Sequence, residues 1–342
     1  MNGRAKKIER VAWLLVAAGL AGALTGCLAT RGAGAGAPGG QWDGNAFQVV
    51  HGWPRLPEGF MFGQVTGVAV DSHNHVWVFH RGYHPVVCLD AATGEILASW
   101  GDGMFIRPHG LRVDHEDNIW LTDKNYHQVY KFSPEGKLLM TLGEKGVPGN
   151  DGGHFDGVTD VAVTPEGDVY ISDGYQNSRV AKFSREGEFL FDWGRKGSGP
   201  GEFDLPHGIA LDRNGRIYVA DRSNYRIQIF DAQGAYLDEW KNSAIGRPSA
   251  VTVGPDDRVY VTDNGEPHSP DLNPTEPGRA KAAVLDLDGH VLATFGSYGQ
   301  YDGQFVSAHD IAVGRDGAVY VGDVFIGNRV QMTNLAWTLD AE

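Results

Sequence analysis

The segment GIALDRNGRIYVADR, Gly208 to Arg222, carries the pattern that decides the fold. Two short β-rich runs flank an Asp-Arg-Asn-Gly turn, the chemistry of a tight antiparallel hairpin. The first run recurs as GVAVD from Gly67, GLRVD from Gly110, DVAVT from Asp160, AVTVG from Ala250 and DIAVG from Asp310. Nine residues after each start a second run begins: VWVFHR at Val76, IWLTDK at Ile119, VYISDG at Val169, IYVADR at Ile217, VYVTDN at Val259 and VYVGDV at Val319. A constant offset of this kind marks an internal repeat and fixes its register.

Third runs (QVYKFS from Gln128, RVAKFS from Arg179, RIQIFD from Arg226) and fourth runs (KLLMTLG, EFLFDWG, AYLDEWK) complete four-stranded units. Their size is that of a propeller blade. The expectation is an all-β, six-bladed β-propeller over residues 47–342. Its sixth unit runs out after Arg329–Asn334, and the early segment FQVV, Phe47 to Val50, is the expected substitute for its missing strand. Such a clasp removes an exposed sheet edge. The residues ending the fourth strands, Trp100, Trp193, Trp240 and Phe295, are read as packing between blades.

Upstream the chain differs in kind. Arg4, Lys6, Lys7 and Arg10 precede an apolar run from Val11 to Leu24, shorter than the roughly 20 residues of a membrane-spanning helix. This is the form of a signal peptide. The run ends in Leu24-Thr25-Gly26-Cys27, which resembles a bacterial lipobox. Residues 1–27 are therefore expected to be a lipoprotein leader with Cys27 as the lipidated N-terminus, and residues 28–46 a flexible tether. The expected location is the bacterial cell envelope, anchored on the extracytoplasmic side of a membrane, with membrane contact through the lipid alone. A net charge of −14 argues against a nucleic-acid partner, and a monomer is expected. With Cys27 assigned to lipid only Cys88 remains, so no intrachain disulfide is available.

The residue just before the first strand is His in the second, fourth and sixth copies: His109, His207 and His309. Alternate blades of a closed ring lie at roughly equal angles about its axis, so the three imidazoles converge. A lone histidine at a channel mouth is better read as a polar plug, but three in one frame position describe a ligand set. Three imidazoles with a fourth position open are the pattern of a catalytic zinc site. The start of the first strand lies beside the end of the second, so the same mouth carries the residues ending the second strands. Five of these are Asp, expected to hold blade turns by accepting backbone N–H bonds. The departures are His80 and Arg81 in blade 1, Tyr175 in blade 3 and Arg222 in blade 4. His73, His75 and His115 fall in turns on the opposite face and are read as solvated surface.

The strings FHRG from Phe79, PHGL from Pro108, SDGYQNSR from Ser172, PHGIAL from Pro206, ADRSNYRIQ from Ala220 and HDIAV from His309 resemble the peptidyl-α-hydroxyglycine α-amidating lyases. That family is an NHL-type six-bladed propeller, and the match runs in order from about Trp53 to Val330. The resemblance implies cleavage of an N-acyl- or peptidyl-α-hydroxyglycine to the amide and glyoxylate. It makes His109, His207 and His309 the zinc ligands, Arg81 and Tyr175 the catalytic pair and Arg222 a second active-site arginine. It also implies a structural calcium held by two backbone carbonyls and a carboxylate, at positions matching Val68, Leu111 and Asp310, oxygen ligands that suit a hard cation. In the implied chemistry an arginine fork fixes the substrate carboxylate while zinc polarises the hydroxyl. Tyr175 takes the hydroxyl proton, its phenolate favoured by zinc and two guanidinium groups.

Several positions depart from the family pattern. Ser307 stands where the family has Met ahead of the third zinc ligand, which alters the expected pocket. Asp156 and Gln176 stand at one pair of family disulfide positions, Tyr218 and Ile229 at the other. No monooxygenase domain is expected beside the propeller. The blade-five insertion from Asn264 to Lys281 is expected to emerge on the active face as a lid. Two other readings are a tethered, non-enzymatic binding propeller and a calcium-dependent lactonase. The lactonase would need carboxylates and amides where this mouth has imidazoles.

Overall fold

The computed structural model describes residues 47–265 and 280–335. The leader, Cys27, the tether and most of the blade-five insertion lie outside the described residues. Six four-stranded antiparallel sheets follow one another along the chain. Blade 1 is Val65–Val70, His75–His80, Val86–Asp90 and Ile96–Trp100; blade 2 is Pro108–Val113, Ile119–Asp123, Gln128–Phe132 and Leu138–Leu142. Blade 3 is Val158–Val163, Val169–Asp173, Arg179–Phe183 and Phe189–Trp193; blade 4 is Pro206–Leu211, Ile217–Asp221, Arg226–Phe230 and Tyr236–Trp240. Blade 5 is Pro248–Val253, Val259–Asp263, Lys281–Leu285 and Val291–Phe295. Blade 6 is Ala308–Val313, Val319–Asp323 and Arg329–Leu335, and Phe47–Val49 supplies its outer strand in the register Phe47 to Leu335 and Val49 to Thr333. The expected clasp is present.

Second strands such as Ile119–Asp123 are buried along their whole length, whereas the outer strand Ile96–Trp100 alternates. A strand covered on both faces by neighbouring blades has no wet side, which is why it lacks the apolar–polar alternation of the outer strands. In blades 1, 2 and 4 the hairpin joining first to second strand is held by an Asp following the first, Asp71, Asp114 and Asp212. Asp71 Oδ1 accepts the N–H groups of His73 and His75, and Asp114 Oδ1 those of Glu116 and Asn118. Between blades, the indoles of Trp100, Trp193 and Trp240 lie on Gly136, Gly234 and Gly289 of the following blade. A Cβ there would come within 3.0, 2.6 and 2.6 Å of the ring. The fourth-strand tryptophans are therefore packing residues.

Near the axis the first strands crowd together. A Cβ on Gly174 would lie 1.9 Å from the Pro206 carbonyl, and one on Gly110 would lie 2.6 Å from the Thr159 carbonyl. Glycine is required there by close approach of the next blade.

Candidate active site

The crowding brings the three histidines together. Their ring centroids are 4.7, 4.9 and 4.9 Å apart, nearly an equilateral triangle, and all three are buried. One ligand atom from each lies within 4.8 Å of the others. Each Nδ1 meets a backbone carbonyl of the next blade: Thr159 at 2.8 Å from His109, Ser249 at 2.6 Å from His207 and Thr66 at 2.8 Å from His309. A carbonyl only accepts, so each Nδ1 carries the proton and each Nε2 keeps its lone pair. His207 Nε2 is buried with no partner. A buried acceptor left unpaired is costly, and a metal ligand fixed through its other nitrogen is the arrangement that accounts for it. Burial first holds all three pKa values well below the ordinary histidine range; the next causes are His309 and Arg81 for His109, Arg222 and the other two imidazoles for His207, and Arg81 and Arg222 for His309. The rings therefore stay neutral, the form that binds a metal. Imidazole nitrogens suit zinc, and the residues fit such an ion.

Arg81, Tyr175 and Arg222 surround this triangle. The Tyr175 hydroxyl is 3.1 Å from His109 Nε2, and its ring lies edge-on to His109 and His207 at 5.3 and 5.9 Å. Arg81 is anchored by Nε to the Pro108 carbonyl at 3.0 Å and by Nη1 to Gln64 Oε1 at 2.6 Å. Burial first, then repulsion from Arg107, lowers its pKa to about 10, so it remains a cation at neutral pH. Arg222 Nε is buried without a hydrogen-bond partner.

Two elements escaped the sequence reading. Lys124 Nζ sits 3.5 Å from the centroid of the Tyr175 ring, a cation–π contact. It ends the second strand of blade 2 exactly where Arg222 ends that of blade 4, a parallel the repeat already displays. The other element is the alternation itself. Blades 1, 3 and 5 carry Thr66, Thr159 and Ser249 in the frame position that holds His in blades 2, 4 and 6, and their carbonyls are the ones that orient the histidines.

The Asp residues ending the second strands are structural. Asp123 Oδ2 accepts the N–H groups of Ile106 and Arg107, and Asp323 accepts those of Val306 and Ser307. His80 does the same work: its Nδ1 accepts from the N–H groups of Gly63 and Gly82 at 3.0 and 3.1 Å. Burial lowers its pKa to about 4, which keeps it a neutral acceptor. Ser307 is buried and bonded through Oγ to the Asn264 amide at 2.5 Å, a polar wall between blades 5 and 6. Tyr218 and Ile229 are cross-strand partners, and the Gln176 N–H bonds the Asp156 carbonyl. Both residue pairs are thus neighbours joined without sulfur.

Val68, Leu111 and Asp310 are also brought together, but the Arg112 side chain reaches them first. Its Nη1 donates to the Leu111 carbonyl and to Asp310 Oδ2, both at 2.7 Å. The Val68 N–H donates to the same carboxylate oxygen at 2.9 Å. These oxygens, as the structure holds them, do not fit a divalent cation.

The NHL repeat family matches residues 155–183 and 203–230, within blades 3 and 4. The chain is 36% identical over 305 residues to the peptidyl-glycine alpha-amidating monooxygenase B of Xenopus laevis, covering 79% of this chain and 34% of that protein. It therefore spans about a third of the length of that relative. It is 30% identical over 289 residues to the probable peptidyl-alpha-hydroxyglycine alpha-amidating lyase of Caenorhabditis elegans, covering 77% of this chain and 80% of that protein. Among solved structures, a streptogramin B lyase superposes with a TM-score of 0.59 at 16% identity, covering 85% of this chain and 99% of that one. At that identity the likeness is one of fold.

Proposed function

The chain belongs to the peptidyl-α-hydroxyglycine α-amidating lyase family, and from that premise we propose that it is a zinc-dependent lyase cleaving an N-acyl- or peptidyl-α-hydroxyglycine to the amide and glyoxylate. The observation that carries this reading is the meeting of three Nδ1-anchored histidines with the Tyr175 hydroxyl at one channel mouth. A zinc ion held by His109, His207 and His309 would supply Lewis-acid polarisation of the substrate hydroxyl.

The protein groups supply the rest. The substrate carries a carboxylate, and Arg81, Arg222 and Lys124 gather positive charge at the mouth of an otherwise acidic chain. Arg81, with Nε and Nη1 already tied to Pro108 and Gln64, is a pre-oriented fork for that carboxylate. Tyr175, as the base, takes the hydroxyl proton; the O–H electron pair becomes the new C=O bond of glyoxylate, and the C–N pair leaves with the amide nitrogen. That nitrogen gains one proton as the hydroxyl loses one, so the overall reaction is proton-neutral and one proton-carrying side chain suffices. We further propose that lipidated Cys27 anchors the protein on the extracytoplasmic side of a membrane, with residues 28–46 as tether.

The test is to measure zinc content of the purified protein alongside glyoxylate release from a simple N-acyl-α-hydroxyglycine. One zinc per chain and turnover that is lost on chelation and restored by zinc are expected. Zinc without glyoxylate would refute the lyase reading and favour a tethered binding propeller.

A further inference from the structure

Arg112 is the odd member of its frame position. The third residue of the repeated first run, GLRVD in blade 2, is Ala69, Ala162, Ala210, Thr252 and Ala312 in the other blades. Two blades that face one another across the axis, the third and sixth, begin that run with Asp160 and Asp310, where the others have Gly or Ala. Both carboxylates are buried, and Arg112 lies between them: Nη2 to Asp160 Oδ2 at 2.5 Å, Nη1 to Asp310 Oδ2 at 2.7 Å.

The same carboxylates collect backbone N–H groups. Asp310 accepts from Val68 and Ile311, and Asp160 accepts from Val161 and Ile209. With the Leu111 carbonyl also on Arg112 Nη1, one guanidinium joins a network drawn from blades 1, 2, 3, 4 and 6. Removing a cation from such a network leaves two buried carboxylates unneutralised, which is strongly destabilising. Burial alone would weaken the charge on Arg112, but Asp160 and Asp310 outweigh burial and raise its pKa, so it stays a cation.

We propose that the Arg112 guanidinium is a built-in substitute for a divalent cation at the centre of this ring, so that the protein neither binds nor needs calcium there. The site needs a positive charge that bridges a carbonyl and carboxylates from different blades, and a covalently attached charge supplies it independently of the calcium concentration. Arg112 also lines a cavity of about 350 Å³ opening on the face away from the histidines. A cation from solvent therefore has a route to the site once the side chain is removed.

The inference stands apart from the lyase reading, because melting and metal binding are measured without turnover. Protein stripped of metal and reloaded with zinc is melted in calcium-free buffer and with calcium raised to about 1 mM, the weak end of ordinary calcium sites. Calcium content is measured after dialysis. The parent is expected to melt at the same temperature throughout and to retain no calcium. Arg112→Ala is expected to melt lower and to gain a calcium-dependent rise, with one ion bound per chain at the vacated carboxylates. Arg112→Lys is expected to melt between the two and to stay indifferent to calcium. A parent that retains one calcium or melts higher with it would overturn the proposal, as would an Arg112→Ala protein with the parent's melting temperature and no response to calcium. If Arg112→Ala does not fold, the parent measurements alone decide.

Discussion

Tyr175→Phe separates chemistry from everything else at the mouth, because it removes one oxygen and keeps the ring. The ring contacts with Lys124 at 3.5 Å and with His109 at 5.3 Å survive. The oxygen's bond to His109 Nε2, at 3.1 Å, is lost. In the metal-free protein, where His109 Nε2 accepts from the Tyr175 hydroxyl, one such hydrogen bond contributes about 1 kcal/mol and its loss shifts Tm by about 2–4 °C; with zinc on Nε2 the bond is not made and no such shift is expected. Zinc content is expected to be unchanged, since all three Nδ1 anchors lie on backbone carbonyls that the substitution does not touch. Turnover is another matter: loss of a general base lowers kcat by about 10²–10⁴, or roughly 3–5 kcal/mol in the barrier. KM is expected to stay within a few-fold, because the carboxylate is held by arginine. Glyoxylate release, followed by coupled reduction with NADH, reads kcat and KM, and elemental analysis on the same preparation reads zinc. A variant that turns over at the parent rate with zinc bound would show that Tyr175 is a rim aromatic. A variant that loses zinc together with kcat would show that its oxygen serves the metal centre and not the proton.

Other expectations follow from the same geometry. His207→Ala should lose most zinc affinity while far-ultraviolet circular dichroism stays that of the folded ring, whose core is apolar packing between blades; full zinc occupancy in this variant would refute the ligand assignment. Arg81→Ala should raise KM and lower kcat together, because a carboxylate clamp acts in ground and transition states alike; a change in kcat alone would count against the clamp. His80 has a folded pKa of about 4 against 6.5 unfolded, so the unfolded chain binds the proton first. Its contribution is complete above pH 6.5 and falls by about 3 kcal/mol as the pH drops to 4. His80→Asn keeps an acceptor without a titration, so denaturant curves at pH 7 and 4.5 should lie closer together than the parent's, and equal separation would refute the assignment. Cys27→Ser should move the protein from the membrane to a soluble extracytoplasmic fraction, and unchanged membrane association would remove the basis for a lipid anchor.

The ring was legible because its signal is redundant. Six copies of one hairpin with a constant nine-residue offset leave the register no freedom, and the missing fourth strand of blade 6 has one apolar candidate upstream, Phe47–Val49. The histidines were legible for the same reason, since frame position converts into angle about the axis. What the pattern conceals is which atom of a residue is used. His80 breaks the Asp pattern and looks like a functional departure, yet it accepts backbone N–H groups as the aspartates do. Arg112 breaks the Ala pattern in GLRVD just as plainly, but its partners come from residues 48 and 198 positions away. Lys124 matters through the direction its side chain takes across blade 3, which spacing does not encode.

The alternation of His with Thr or Ser explains why six blades suit this site. Each histidine gives its Nδ1–H to the carbonyl of the next blade's hydroxyl residue, and in blades 3 and 5 the hydroxyl continues the contacts into the following blade, whereas Thr66 Oγ1 donates to the Phe79 carbonyl of its own blade. Ser249 Oγ donates to the Ala308 and His309 carbonyls, and Thr159 Oγ1 donates to the Pro206 carbonyl. An even number of blades lets a two-residue alternation close without a mismatch. The last link runs from His309 in blade 6 to Thr66 in blade 1, between residues 243 apart in sequence. Orientation of the third histidine therefore depends on ring closure, and closure depends on the pairing of Phe47–Val49 with the strand Arg329–Leu335. The strand that seals the propeller is in this way part of what holds the histidine triangle in register.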